Sequence, residues 1–187
     1  MKYSPVLLAI LLTTALQAGS LPLGYFQQEV KYDIDVKLDD KDHILRGHEK
    51  LLYMNNSPNS IDFIWMHLWP NAYKDNNTAF AKQMWENGRS KFYFSDEDDR
   101  GYIDSLNFTI KGVPLQVEAH PEWIDVVKLI LPAPLAPGKR ITIETPFKVK
   151  IPIVFSRLGH SGKHYEITQW YPKPAVYDMD GWHPMPY

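Results

Sequence analysis

The chain has 187 residues, with 20 Lys and Arg against 22 Asp and Glu. So even a balance gives no sign of nucleic-acid binding, which would need a clustered basic face. There is no Cys to form a disulfide, and eleven of the 15 Pro lie at or beyond Pro114, which disfavours helix in the second half because Pro lacks an N–H and clashes with the preceding turn.

In chain order, Lys2, the apolar run Val6–Leu12 and the ending at Ala18 have the layout of a signal peptide over residues 1–18. The run falls short of the roughly 20 apolar residues that a spanning helix needs. Export without a stable membrane span is therefore expected. A Cys-free exported domain fits a bacterial periplasm, cell surface or extracellular medium, held by packing alone.

Val30, Tyr32, Ile34, Val36 and Leu38 alternate with Lys31, Asp33, Asp35 and Lys37, the period of a half-buried strand. Asp39–Asp42 reads as a turn, and Ile44–Met54 as an antiparallel return. After the turn residues Asn55–Ser60, Ile61–Trp69 is apolar on both faces and reads as a covered central strand. Phe80, Ala81, Met84 and Trp85 share one helical stripe, with Asn77 or Thr78 as cap and Gly88 as stop. Further strands are expected over Ile103–Ile110, Leu115–Glu118, Trp123–Leu131, Ile141–Ile151 and Tyr165–Trp170, separated by turn signals. The pattern predicts an all-β fold: a strongly bent antiparallel sheet or β-sandwich with one short helical excursion.

Local motifs supply little chemistry. His43, His48 and Glu49 lack the i, i+4 spacing that puts two imidazoles on one helix face; they read as solvent-facing strand residues. His67 reads as a buried, hydrogen-bonded core histidine, while His164 and His183 have no partner motif. Asp96, Asp98 and Gly101 fit positions one, three and six of a calcium loop, but Arg100 occupies position five and Asn107 position twelve, where a bidentate Glu is needed, so the run reads as a solvated loop. Gly159–Lys163 matches neither a nucleophile elbow nor a phosphate loop and reads as a flexible connector. Among the tryptophans, Trp65, Trp69 and Trp85 are expected in the core, leaving Trp170 and Trp182 as candidate surface platforms. The Asn55, Asn76 and Asn107 sequons read as chance products of asparagine-rich turns.

Three stretches, FIWMHLWPNAYKDNNTAFAKQ, LAPGKRITIETPFKVKIP and HYEITQWYPKPAVYDMDGWHPMPY, resemble the N-terminal domain of the aminopeptidase N family of zinc metallopeptidases, in its exported bacterial branch. The resemblance runs from about Tyr25 to Tyr187. It implies a saddle-like β domain over residues 19–187, with a helical catalytic domain following in the intact polypeptide. Neither the G-x-M-E-N nor the H-E-x-x-H motif of that second domain occurs here, so the resemblance implies an N-terminal fragment, inactive alone, of a parent that binds zinc outside this chain. The parent's partner would be a peptide with a free amino end, hydrolysed by a water that zinc and a motif Glu activate. Thr168-Gln169 matches the family's Thr-Gln pair, whose Gln helps orient the bound amino end. Tyr171 stands where the family has a second acid or amide, so the match is partial. Without the resemblance, the residues equally allow a non-catalytic exported module that binds glycan or protein through Trp170 and Trp182.

Overall fold

The computed structural model describes residues 24–187, and the signal-peptide expectation over 1–18 lies outside the described residues. The fold is antiparallel and mostly β, with one short α-helix. Strands β1 (Glu29–Asp39) and β2 (Ile44–Met54) form a long hairpin, registered from Glu29 opposite Met54 to Asp39 opposite Ile44. Asp39 Oδ1 closes the turn by accepting from the N–H groups of Lys41 and Asp42, at 3.1 and 3.3 Å. A short acidic side chain bonding the backbone two residues on is how Asp favours such turns.

After β3 (Ile61–His67) comes helix α1 (Ala79–Glu86). Of the two cap candidates Thr78 takes the position: it is extended, and its Oγ1 accepts from the Ala81 N–H at 3.1 Å. Phe80 and Ala81 face inward as expected, but Trp85 does not. It is 52% exposed and packs on Tyr93 and Phe94 in a surface aromatic cluster. The strand expected over Ile103–Ile110 divides into β4 (Tyr102–Asp104) and β5 (Thr109–Ile110). Ser105 breaks it with a left-handed φ of 60°, and the Asn107 N–H donates to Thr145 Oγ1 instead of a ladder partner.

Next come β6 (Val113–Pro114), β7 (Gln116–Ala119), β8 (Val126–Leu135) and β9 (Arg140–Lys150). Gly159–Lys163 is a hairpin, not a flexible connector. β10 (Leu158–Ser161) turns through Gly162 and Lys163 into β11 (His164–Ile167), and Gly162 adopts a φ of 57° that a tight hairpin turn favours in glycine. Short strands β12 (Lys173–Pro174), β13 (Val176–Asp178) and β14 (Gly181–His183) complete the chain.

The first main sheet has the order β1-β2-β9-β5-β6, with β4 also on β9; the second has the order β12-β3-β8-β7, and the hairpins β10-β11 and β13-β14 are separate two-stranded sheets. The chain changes sheet at Leu115, between β6 and β7. Leu51, Tyr53, Ile143 and Val149 from the first sheet join Ile64, Met66 and Leu129 from the second in one buried cluster. β3 is central in its sheet, fully covered on one face and partly covered on the other. Ile64 and Met66 are buried, whereas Phe63 and Trp65 are half-buried under Lys128. Trp69 is likewise half-buried, so neither tryptophan is core. Asn55 is a buried plug rather than a surface acceptor, its Nδ2 donating to the carbonyls of Asn59 and Leu135. No described helix is long and apolar enough to cross a membrane.

Candidate functional site

Strand β11 ends at Ile167, three residues short of the expected Trp170, because the backbone turns left-handed at Gln169, with φ 57°. Thr168 Oγ1 secures the approach to this bend by donating to the Arg157 carbonyl at 2.7 Å. The two residues after Gln169 are aromatic anchors. Trp170 packs on Phe147 with centroids 5.8 Å apart, and Tyr171 meets Tyr32 edge-on at 5.2 Å. A pair of aromatic contacts of this kind fixes a loop through apolar burial and quadrupole fit. Gln169 therefore sits half-buried at a pinned bend, outside any strand.

The sheet beneath this wall carries an unexpected acid. Cross-strand register places Tyr32 opposite Leu51 and Ile34 opposite Glu49, with Thr145 of β9 on the other side of Glu49. All these positions share the core-side face, since side chains alternate along each strand. Glu49 is only 1% exposed and its Oε2 has no hydrogen-bond partner. Burial pushes its carboxyl up to about 8, because desolvation penalises the charged form. This corrects the solvent-facing reading of Glu49. His48 does face solvent, but His43 is half-buried in the β1–β2 turn at a φ of 54°.

The same face of β1 is incompletely covered. Tyr32, Val36 and Leu38 remain 38%, 46% and 37% exposed. Their apolar alternation is real, yet this edge carries an open stripe where a packed one was expected.

His67 is buried as expected, but its Nδ1 lacks the hydrogen bond expected of it. Opposite it in register lies Lys173, whose Nζ is 3.6 Å from the Trp69 ring centroid. Burial first and Lys173 second push His67 down to about 4, while burial and then Arg157 push Lys173 down to about 8. Nothing local in the sequence marks Lys173, because its partners come from a strand more than a hundred residues earlier.

Of the remaining candidates, His164 is exposed at the start of β11. His183 Nε2 contacts Asp178 Oδ1 at 2.8 Å within the β13–β14 hairpin, a partner five residues away. Asp96 and Asp98 are exposed, beside a short 3-10 turn over Glu97–Asp99. Lys150 approaches Asp98 at 3.7 Å. Trp170 and Trp182 are half-buried against the core, Trp182 stacking on Tyr177 at 4.8 Å, so they do not form a pair of free sugar-binding faces. Among the described residues, no three His, Cys, Asp or Glu converge as a group able to hold a metal ion. Comparison with models of known protein families gives no match, and a search of curated proteins gives none.

Proposed function

We propose that this chain is the N-terminal β domain of an exported zinc metallopeptidase that removes N-terminal residues from peptides, and that Gln169 lends its amide to the wall of the substrate pocket. The observation that carries the reading is the Thr168–Gln169 bend. A non-glycine residue at a φ of 57° is strained, by roughly 1–2 kcal/mol, and such strain accumulates where a side chain is aimed at a ligand. The anchors Trp170 and Tyr171 hold that bend in place. A carboxamide donates and accepts at once, which suits a site meeting both an amino group and a carbonyl.

The open apolar stripe of β1 also supports the reading. Tyr32, Val36 and Leu38 form a surface that a following catalytic domain of the same polypeptide would cover. Zinc belongs to that second domain in this reading; the described residues do not fit the ion, and this domain's part is to shape the wall and receive the peptide's amino end.

The test is direct. The coding sequence beyond Tyr187 is expected to encode H-E-x-x-H, and in the intact enzyme Gln169→Ala is expected to raise KM for peptides several-fold while kcat changes little. A continuation lacking the motif, or an unaltered KM, overturns the proposal.

A further inference from the structure

A cavity of about 270 Å³ opens between the segment preceding β1 and the β12–β13 region, and Gln169 does not line it. Its walls include four aromatic rings, those of Tyr25, Phe26, Tyr53 and Tyr177, and one carboxylate, Asp178. Among the described residues, no Lys, Arg or His lines it. The rings are tied together: Phe26 lies 5.6 Å from Tyr177, which stacks on Trp182 at 4.8 Å. Gln28, also in the wall, is pinned by the Asn56 N–H donating to its Oε1 at 2.7 Å.

The polar groups of the wall are Asp178 and the Gln27 and Gln28 amides, while Tyr53 contributes its ring and its hydroxyl is enclosed behind it. Asp178 Oδ1 accepts from the Asp180 N–H at 2.9 Å and meets His183 Nε2 at 2.8 Å. Those contacts, His183 first, hold the Asp178 carboxyl below the usual carboxylate range, so it stays ionised at neutral pH.

Ring faces carry the negative side of the aromatic quadrupole, and the Asp178 carboxylate, held by His183 and the Asp180 N–H, adds to the same sign, so the cavity favours a positively charged guest. A carboxylate or phosphate would be repelled by Asp178. A plain hydrocarbon would make no use of Asp178 or of the Gln27 and Gln28 amides in the wall. The volume lies just below the usual range for ligand cavities, about 300–1,000 Å³, so the guest is small. We propose that this cavity binds a small free alkylammonium compound with a short polar arm, its charged head among Tyr25, Phe26, Tyr53 and Tyr177 and near Asp178. The proposal does not depend on the peptidase reading, and its readout is binding rather than catalysis.

The experiment compares choline with 3,3-dimethyl-1-butanol, which keeps the shape and hydroxyl but carries no charge, by titration calorimetry on the mature full-length protein. Choline is expected to bind saturably and at least about tenfold more tightly than the neutral isostere. Asp178→Asn and Tyr177→Leu are each expected to weaken choline by about tenfold. Equal affinity for the two compounds, or no saturable binding of choline, overturns the proposal. Because that comparison uses the unaltered protein, a variant that fails to fold does not shield it.

Discussion

The imidazole rings of His43 and His160 stack with centroids 3.5 Å apart and planes 14° apart, fastening the β1–β2 turn to the β10–β11 hairpin. His43 Nδ1 and the Tyr165 hydroxyl lie 2.8 Å apart, the same hydroxyl reaches the Asp40 carbonyl at 3.4 Å, and Lys163 reaches Asp40 at 2.7 Å, so several contacts join the same two hairpins. The exposed ion pair contributes little by comparison, since water screens it. Charge on His160 opposes this packing, because burial disfavours its protonated form.

That penalty sets a pH dependence. Burial first, then His43, hold His160 below the ordinary histidine range. Burial and then Lys173 push His67 from 6.5 down to about 4. Both groups are harder to protonate folded than unfolded, so their contribution is fully present above the unfolded value and is lost as pH falls through the folded one. Urea midpoints are expected to drop as pH falls from 6.5 towards about 4, with amide protection in β10–β11 declining first. His160→Phe, which keeps a ring but no proton, combined with His67→Phe, is expected to flatten the acid limb. An unaltered slope in the double variant rejects this account.

Glu49 acts with the opposite sign. Its carboxyl is raised from 4.5 to about 8 by burial, so the folded state holds a proton that the unfolded state releases. Stability is then full below about 4.5 and falls as pH rises through about 8. Glu49→Gln is expected to stabilise the protein by on the order of 3 kcal/mol in mildly alkaline buffer. In acid below the unfolded value it should change little. Thermal midpoints at the two pH extremes provide the check, and an equal gain at both contradicts the buried-carboxyl explanation.

Gly47 is required by its neighbours. A Cβ there would lie 2.6 Å from the Asp35 carbonyl oxygen and drive into the Phe147 ring. One of these obstacles is backbone in the paired strand β1, which cannot shift without disturbing the ladder. Gly47→Ala is expected to destabilise by roughly 1–3 kcal/mol, the usual range for overpacking. Adding Phe147→Leu should recover only part of it, because the carbonyl clash persists. A neutral Gly47→Ala variant in urea unfolding would contradict the packing described.

Gln169 separates stability from function. Gln169→Gly relieves left-handed strain but adds freedom to the unfolded chain, for a net gain of about 0.5–1 kcal/mol. Gln169→Val, whose branched Cβ tolerates that backbone poorly, is expected to lose 1 kcal/mol or more. Gln169→Ala should change stability little, so a KM effect in the intact enzyme would report the amide and not the fold. A Gln169→Gly variant that is clearly less stable than the parent removes the argument from strain.

Short-range regularities survive without tertiary information. The period-two run in β1, the full extent of β2, the Thr78 cap and the turn at Asp39 all depend on residues within a few positions of one another. Backbone geometry and local hydrogen bonds are enough to specify them, and with them the all-β class. The carriers of the candidate site are different in kind. In β2 both alternating series contain apolar residues, Leu45, Leu51 and Tyr53 in one and Ile44, Leu52 and Met54 in the other. Local pattern therefore leaves the face of Glu49 undecided. Register against β1 and β9 turned Glu49 inward.

Trp85 lies on the apolar stripe of α1 yet points outward: Phe80 packs on Tyr73, Phe92 and Tyr187 and Met84 on the core, while Trp85 meets Tyr93 and Phe94 at the surface. His43 meets Tyr165 across 122 positions, and Lys173 reaches His67 through strand pairing. The aromatic cavity is likewise assembled from three separated segments. The sequence by itself determined the long strands β1, β2 and β9 and the cap of α1, because periodicity and turn chemistry act within a few residues. Only the tertiary structure decided which side chains are buried, paired or left without partners, because those outcomes depend on contacts between segments that are distant in the chain.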